Sequence, residues 1–426
     1  MKQLAEKAIS VPVSTSVSAD ELLRTALDIA EHTLRCGGDV RRVEETIIRI
    51  CAAFGATHTE SFTITSVIVA SVWMPDGTHS QQMRRVYGSS NNLEAFETYN
   101  SISRSLCNGT MTLAEAREAV RKTRQKKTYP SWVYYLGAIL AAGSFAVFFG
   151  GSWQDGIAAG ICGIVITFLN RHLGSNTNQI AITVLDSFVA GGVAILLVFL
   201  GIGLNVEKVM IGSIMLLIPG VAFSVSMQDL LGGDVLSGTL RFIQAVLLAL
   251  SIALGFSVSM LVFPIGISAV QSASAAKWLF LFTGVLGTIG FSLLFSTRIC
   301  HVPMAGIGGL IACAVYLFAA QWLELNVFSS NMLAATAAAV YSYVCAMVRK
   351  APRNIFIIAC MIPLVPGSGL YYTMYYLIAH QTDMTLQYFS RTLETALGVS
   401  AGFALVTVFD RALVYLRQKY KMNNAK

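Results

Sequence analysis

Charge is scarce in this 426-residue chain: Lys, Arg, Asp and Glu together make up 12% of it, against about a quarter in soluble globular domains. The shortage is local. Of the 30 basic and 23 acidic residues, 16 and 14 fall in residues 1–127, which leaves 14 and 9 for residues 128–426. The second region is thereby excluded as an ordinary soluble domain and reads as lipid-embedded, while the first reads as soluble. The eight cysteines form no Cys-x-x-Cys and no His spacing suited to zinc, so they read as reduced packing residues. Neither G-x-x-x-x-G-K-[ST] nor H-E-x-x-H occurs. That removes a P-loop ATP site and a zinc-protease site, implies no cofactor and no metal, and leaves an ion gradient to drive any transport. No apolar run long enough for a secretory signal lies in the first seventeen residues, so the first membrane helix is expected to direct insertion. The net charge of +7 does not point to nucleic acid, because the basic residues gather beside apolar segments.

Residues 1–127 read as a small α+β cytoplasmic domain. Ser18-Ala-Asp-Glu21 matches a capping box ahead of a helix that stops at Gly37-Gly38. A second helix runs from Val40 to about Phe54. The β-branched residues from Ser61 to Trp73 and from Gln81 to Val86, around Pro75-Asp76-Gly77, predict a hairpin. A third helix follows from Leu93 to Gly109, and Thr112-Leu-Ala-Glu115 opens a fourth, giving an ααββαα order. Arg121, Lys122, Arg124, Lys126 and Lys127 then form a basic collar that the positive-inside rule keeps in the cytoplasm.

Ten spanning segments are predicted, near 132–150, 154–170, 179–201, 208–231, 237–263, 277–297, 302–322, 329–348, 353–379 and 389–411. An even count puts both termini on one side. Placed inside, the collar is joined by Arg171, Arg241, Arg298, Arg349, Lys350, Arg353, Arg411 and the basic tail of residues 412–426, whereas the outer ends keep Lys208, Lys277 and Arg391. A multi-pass protein of the plasma membrane with both termini cytoplasmic follows.

Two of these segments are broken at their centres, by Pro219-Gly220 and, 147 residues later, by Pro366-Gly367. Such a break frees backbone groups that lipid cannot satisfy, so it survives only where protein or a water-filled cavity covers it. At the same offset of 147, Gly143-Ser-Phe-Ala-Val-Phe-Phe lies over Gly290-Phe-Ser-Leu-Leu-Phe-Ser. After the breaks the offset lengthens by about three and pairs Arg241 with Arg391. The repeat is five helices long, in modules 128–264 and 277–411. An odd number of spans turns the second copy upside down, the inverted-repeat plan of secondary transporters.

Ionisable groups inside the membrane are costly and so are functional candidates. Asp186 lies within IAITVLDSFVAGGVAILL with no charged neighbour in sequence, a setting that suits a proton-linked carboxyl or a structural one bonded to a nearby Ser or Asn. After the first break come Ser224, Ser226, Asp229 and Asp234, then Arg241; after the second come Ser368 and Tyr372, then Arg391 and Glu394. Half-helix ends offer amides to a carboxylate and carbonyls to a cation, which suits an amino acid or another small carboxylate. Asp229 and Asp234 read equally as a solvated inner loop, and Arg241 and Arg391 as interfacial anchors. Gly398-Val-Ser-Ala-Gly402 fits the hydrolase G-x-S-x-G pattern but lies in a spanning helix, where small-residue packing accounts for it. His172 and His301 read as cationic anchors at inner helix ends.

The chain resembles the threonine/serine exporter family. The resemblance rests on Gly37-Gly38-Asp-Val-Arg-Arg42-Val-Glu44, Ile48-Arg49-Ile50, Phe62-Thr-Ile-Thr-Ser66, Ile218-Pro-Gly220, the stretch from Asp229 to Arg241 and Val365-Pro-Gly367-Ser, and it covers most of residues 19–411. It implies export of small hydroxylated amino acids driven by the proton motive force, with the amino acid, protons and the bilayer as partners. Two-polypeptide members are associated with dicarboxylate export, so a succinate-type exporter is the alternative within the class. A membrane-anchored enzyme or regulatory N-terminal domain is the alternative outside it, although His32, His58 and His79 have no Cys or Ser partner at a telling spacing. Assembly into a homo-oligomer is left open.

Overall fold

A computed structural model describes residues 17–88, 90–126, 129–174, 178–219, 222, 225–227, 229–230, 233–263 and 277–423. The chain divides into two compact units, Met1–Pro130 with Phe295–Arg298, and Ser131–Leu294 with Ile299–Lys426.

The first unit opens with α1 (Ala19–Arg35) and α2 (Val40–Ala53). The Ser18 side chain accepts from Glu21 N at 3.2 Å, and that of Asp39 accepts from Arg42 N at 2.8 Å. Each satisfies an amide that the first helical turn leaves without a backbone partner. The turn between them needs glycine. Gly37 has φ +94°, which favours a residue without Cβ, and a Cβ on Gly38 would lie 2.7 Å from Thr33 O.

Three strands follow, β1 (His58–Ile64), β2 (Val67–Trp73) and β3 (His79–Arg85), as an antiparallel sheet in that order. The expected hairpin is thus corrected to a three-stranded meander. The apolar run 61–73 turns back at Thr65-Ser66, with Ile64 opposite Val67. That two-residue turn lacks the Asn-Gly or Asp-Gly signal by which hairpins are usually read. Ile68, Ala70 and Val72 on the central strand are buried with Leu22, Leu23, Leu27, Ile47 and Ile50 of the helices. Full burial of each large aliphatic side chain contributes about 1.5–3 kcal/mol. Glu44 Oε1 accepts from Thr63 N at 2.8 Å and ties α2 to β1.

Helices α3 (Leu93–Cys107) and α4 (Leu113–Gln125) complete the unit, the latter opened by a reciprocal Thr112–Glu115 capping box. Residues 295–298 belong here: Leu93 N and Glu94 N donate to the Phe295 and Ser296 carbonyls at 2.9 and 3.1 Å, and Arg298 meets Glu97 at 3.2 Å. Arg298 is therefore ion-paired and not a bare helix-end anchor. Collar residues are paired as well, Arg121 and Lys122 with Glu118, and Lys126 with Glu94. All eight cysteines are free. Burial pushes the Cys36 thiol up to about 11 and Cys51 up to about 12, as expected of inert packing residues.

The second unit is helical: α5 (Ser131–Phe148), α6 (Trp153–Leu173), α7 (Gln179–Phe199), α8 (Val206–Ile214), α9 (Val235–Val262), α10 (Lys277–Leu294), α11 (Val302–Gln321), α12 (Val327–Arg349), α13 (Arg353–Met361), α14 (Gly367–Ile378) and α15 (Thr382–Asn423). Seven helices among the described residues are long and apolar enough to cross a membrane, or eight if α13 and α14, bent by 49° about their break, are one span. The chain is a multi-pass membrane protein. The expected segment 208–231 runs into residues outside the described set, and 389–411 lies within α15.

Element starts recur along the chain. Helices α5 and α10, α7 and α12, α8 and α13, and α9 and α15 begin 146, 148, 147 and 147 residues apart. On this spacing Arg241 and Arg391 sit about one turn out of step within α9 and α15. Helices α5 and α10 run antiparallel in contact. A Cβ on Gly290 would lie 2.5 Å from Ala141 N and 2.8 Å from Gly137 O, one on Gly287 would lie 2.6 Å from the Phe145 ring, and Phe148 stacks on Phe280 at 4.1 Å.

Candidate functional site

Both breaks follow from proline chemistry. Before Pro219, Leu216 N and Leu217 N donate to the Ser213 and Ile214 carbonyls at 3.2 and 2.7 Å, tightening the end of α8 into i→i+3 bonds. Before Pro366, a short 3₁₀ turn over Ile362–Leu364 contains Pro363, and α14 restarts at Gly367. The two breaks meet: a Cβ on Gly367 would overlap Met215 Sδ and lie 3.4 Å from Ile218 Cδ1. A side chain at Gly367 would require the Met215 side chain to move, so the residue marks where the two breaks approach most closely.

A cavity of about 360 Å³ opens beside the second break, within the roughly 300–1,000 Å³ usual for small-molecule sites. Its polar lining comes from Ser368 and Tyr372 on α14, Asn331 on α12, and Tyr388, Arg391, Thr392 and Thr395 on α15, with Pro366 at the break itself. The first amides of α14 have no partner within their helix and give this end a partial positive charge. Gly369 lies so close to Thr392 Oγ1 that a Cβ would overlap it, which holds α14 against α15. An apolar crevice between Ile214, Ile252, Phe256 and Tyr371 measures only about 20 Å³, room for a single water.

Behind Tyr372 lies a charged cluster absent from the sequence-derived candidates. Lys208 Nζ is 3.3 Å from Glu207 Oε1 and 3.3 Å from the Tyr372 hydroxyl, which donates to Glu207. Lys208, counted from the sequence among the charges at outer helix ends, is 8% exposed and held inside this cluster. Asn205 Oδ1 accepts from Glu207 N at 3.1 Å. The buried Asp155 pins this start of α8, accepting from Leu204 N and Asn205 N at 2.7 and 2.8 Å and from Ser152 N and Oγ. The signals were legible only locally, as an Asn cap before Val-Glu-Lys and a Ser-x-x-Asp box.

Of the expected residues, Pro366, Ser368, Tyr372 and Arg391 line the cavity, and Gly367 lies beneath it. Asp186, 1% exposed, lies elsewhere on α7; it accepts from Asn170 Nδ2 at 2.6 Å, and its Oδ1 has no hydrogen-bond partner among the described residues. Asp229 faces Arg241 at 3.4 Å, both side chains largely buried, so neither is a solvated loop residue or a simple anchor. Ser226 is buried, Asp234 is an exposed N-cap, Glu394 accepts from Ser390 at 3.3 Å, and Pro219 follows Ile218 at the first break. Gly220 and Ser224 fall outside the described residues. His301, expected as an anchor, is buried edge-on against Phe356 at 5.1 Å, whereas His172 is exposed.

A multi-pass helical bundle with two mutually packed helix breaks and a cavity beside the second suits a membrane transporter. A family model described as a threonine/serine exporter matches residues 24–263, more than half of the chain, and a second, "Threonine/Serine exporter, ThrE", matches residues 280–409. The chain belongs to the threonine/serine exporter family, which is one of transporters and not of enzymes. It is 25% identical over 289 residues to a threonine/serine exporter of Corynebacterium glutamicum, across 64% of this chain and 58% of that protein. It is 24% identical over 421 residues to a probable threonine/serine exporter of Mycobacterium tuberculosis, across 92% of this chain and 78% of the relative. No solved structure matches it.

Proposed function

We propose that the chain is a secondary transporter that exports threonine and serine across the plasma membrane in exchange for protons. The observation that carries this reading is the cavity at the second break, where the amino end of α14 and Arg391 face one space. A carboxylate suits that pair. A side-chain hydroxyl suits Asn331, Thr392 and Thr395. Arg391 is the one cation of this lining among the described residues. A dicarboxylate would call for a second, so the amino-acid reading is favoured over the succinate-type one.

We read the membrane unit as ten spans in two inverted five-helix modules with cytoplasmic termini. The recurring helix starts, the antiparallel packing of α5 on α10 and the distribution of basic residues support this. Asp186 is assigned to proton exchange ahead of Asp229, because Asp229 has the Arg241 charge beside it whereas Asp186 meets the neutral Asn170 amide. Serine flux into inside-out vesicles is expected to follow an imposed pH gradient, and Asp186→Asn to abolish that dependence while serine–serine counterflow persists. Undiminished gradient-driven flux in Asp186→Asn removes Asp186 from the mechanism. Counterflow of succinate but not serine returns the chain to the alternative substrate.

A further inference from the structure

The soluble unit contains a second cavity, of about 370 Å³, whose lining has nothing in common with the membrane site. Helix α1 supplies Arg24, Asp28, Glu31, His32 and Arg35, spaced to share one helix face, and α4 answers with Arg117, Arg121 and Arg124 along its own. Five guanidiniums thus converge with two carboxylates. Like charges brought together in this way destabilise a fold unless something neutralises them.

The intramolecular pairs do so incompletely. Arg35 meets Glu31 at 3.8 Å, Arg117 meets Glu21, and Arg121 meets Glu118 at 2.9 Å. Asp28 is drawn to Arg84 at 3.1 Å, away from the cluster. Arg24 and Arg124 line the cavity and have no ion pair among the described residues. Between the two stripes lies His32, its ring stacked on Tyr99 at 5.3 Å and 18°, a flat and partly buried floor.

From this juxtaposition we infer that the groove between α1 and α4 binds a phosphate-bearing anion, with Arg24 and Arg124 as its principal ligands. A planar guanidinium fork matches phosphate oxygens two at a time, and the carboxylates at hand, already engaged by Arg35, Arg84, Arg117 and Arg121, leave Arg24 and Arg124 free to bind one. A solvated charged face is the simpler account of an arginine stripe on one helix. It does not explain two stripes lining one cavity with their unpaired members in its wall. A soluble metabolite such as a nucleotide and an anionic lipid headgroup both carry this phosphate chemistry, and the test below separates them.

The test uses the full chain. Detergent-solubilised protein is titrated with inorganic phosphate, pyrophosphate and ATP at physiological ionic strength. In parallel, protein is reconstituted into nanodiscs of phosphatidylcholine with and without phosphatidylglycerol. Binding is read as hydrogen-exchange protection of the α1 and α4 peptides. The Arg24→Gln/Arg124→Gln double variant removes two exposed, unpaired side chains; Arg41→Gln/Arg49→Gln, which alters the exposed pairs of Glu45 on α2, is the control. Saturable protection by a soluble probe, weakened at least tenfold in the first variant and unchanged in the second, supports a free phosphate ligand. Protection that appears only with phosphatidylglycerol, and is lost in the first variant, supports a lipid headgroup. Absence of protection in every arm, or equal weakening by both variants, overturns the assignment.

Discussion

Removing the Tyr372 hydroxyl should weaken transport in a way that depends on Glu207. The hydroxyl donates to Glu207 and lies 3.3 Å from Lys208 Nζ, joining the start of α8 in one half to α14 at the edge of the cavity in the other. Hydrogen bonds to charged groups contribute about 1.5–3 kcal/mol each. The Glu207 side chain is 35% exposed, and solvent screening lowers the expected coupling to about 1–2 kcal/mol. At about 1.4 kcal/mol per tenfold, Tyr372→Phe should weaken the tie between α8 and α14 by about 5- to 30-fold. The assay is a double-mutant cycle of Tyr372→Phe and Glu207→Gln. Initial rates of serine counterflow in proteoliposomes and the heat stability of the purified proteins are read for all four. Each single change should capture most of the loss of the pair. Effects that add to within about 0.5 kcal/mol would refute a shared network and leave Lys208, Glu207 and Tyr372 as independent neighbours.

Other outcomes follow from the same geometry. Asp155→Ala strips the acceptor from Leu204 N, Asn205 N and Ser152 and should destabilise the protein by about 2–4 kcal/mol, seen as earlier loss of monodisperse protein on heating. Gly290→Leu drives a side chain into Ala141 N and Gly137 O and should abolish folded protein on size exclusion, whereas Ile307→Leu at an exposed position should not. Arg391→Gln should raise the serine concentration needed for half-maximal counterflow by tenfold or more, with Arg391→Lys intermediate; equal affinities would move the carboxylate site elsewhere. Burial holds the His32 imidazole below its ordinary 6.5, Arg35 and Arg124 acting in the same direction against Glu31 and Asp28. The unfolded chain then binds the proton more readily, so this contribution is present above pH 6.5 and is lost as the pH falls through the lower folded value. Rate-corrected hydrogen exchange in α1 should rise below pH 6.5, and His32→Gln should flatten that slope.

Much of the fold was legible because it is written in local chemistry. Ser18, Thr112, Gly37 and the Pro366-Gly367 pair each act within a few residues, and their helices begin or end there. The Thr65-Ser66 turn was not legible, since neither residue carries the φ preference that marks a tight hairpin. At the site, Ser368, Tyr372 and Arg391 could be named from their distance to a break. Glu207, Lys208 and Asp155 could not: each sits near a helix start in sequence, and burial comes from a distant segment that no window contains. Asp186 illustrates the converse. Its isolation in an apolar run identified a buried carboxyl, yet only the structure supplies Asn170 as its partner and separates it from the cavity.

The glycine seam between α5 and α10 has a mechanical corollary. Around Gly137, Ala141 and Gly290 main chain rests on main chain, there is no side chain to swing aside, and sliding one helix along the other collides there. These two rods form a fixed keel, and alternation of access is expected of helices that do not pack along it, such as α9, which packs on α7, and α15, which packs on α12 and α14. Spin labels on α5 and α10 should therefore keep one distance when serine is added, while pairs linking α15 to α10 should not; a shift across the keel itself would show that the moving parts have been misassigned.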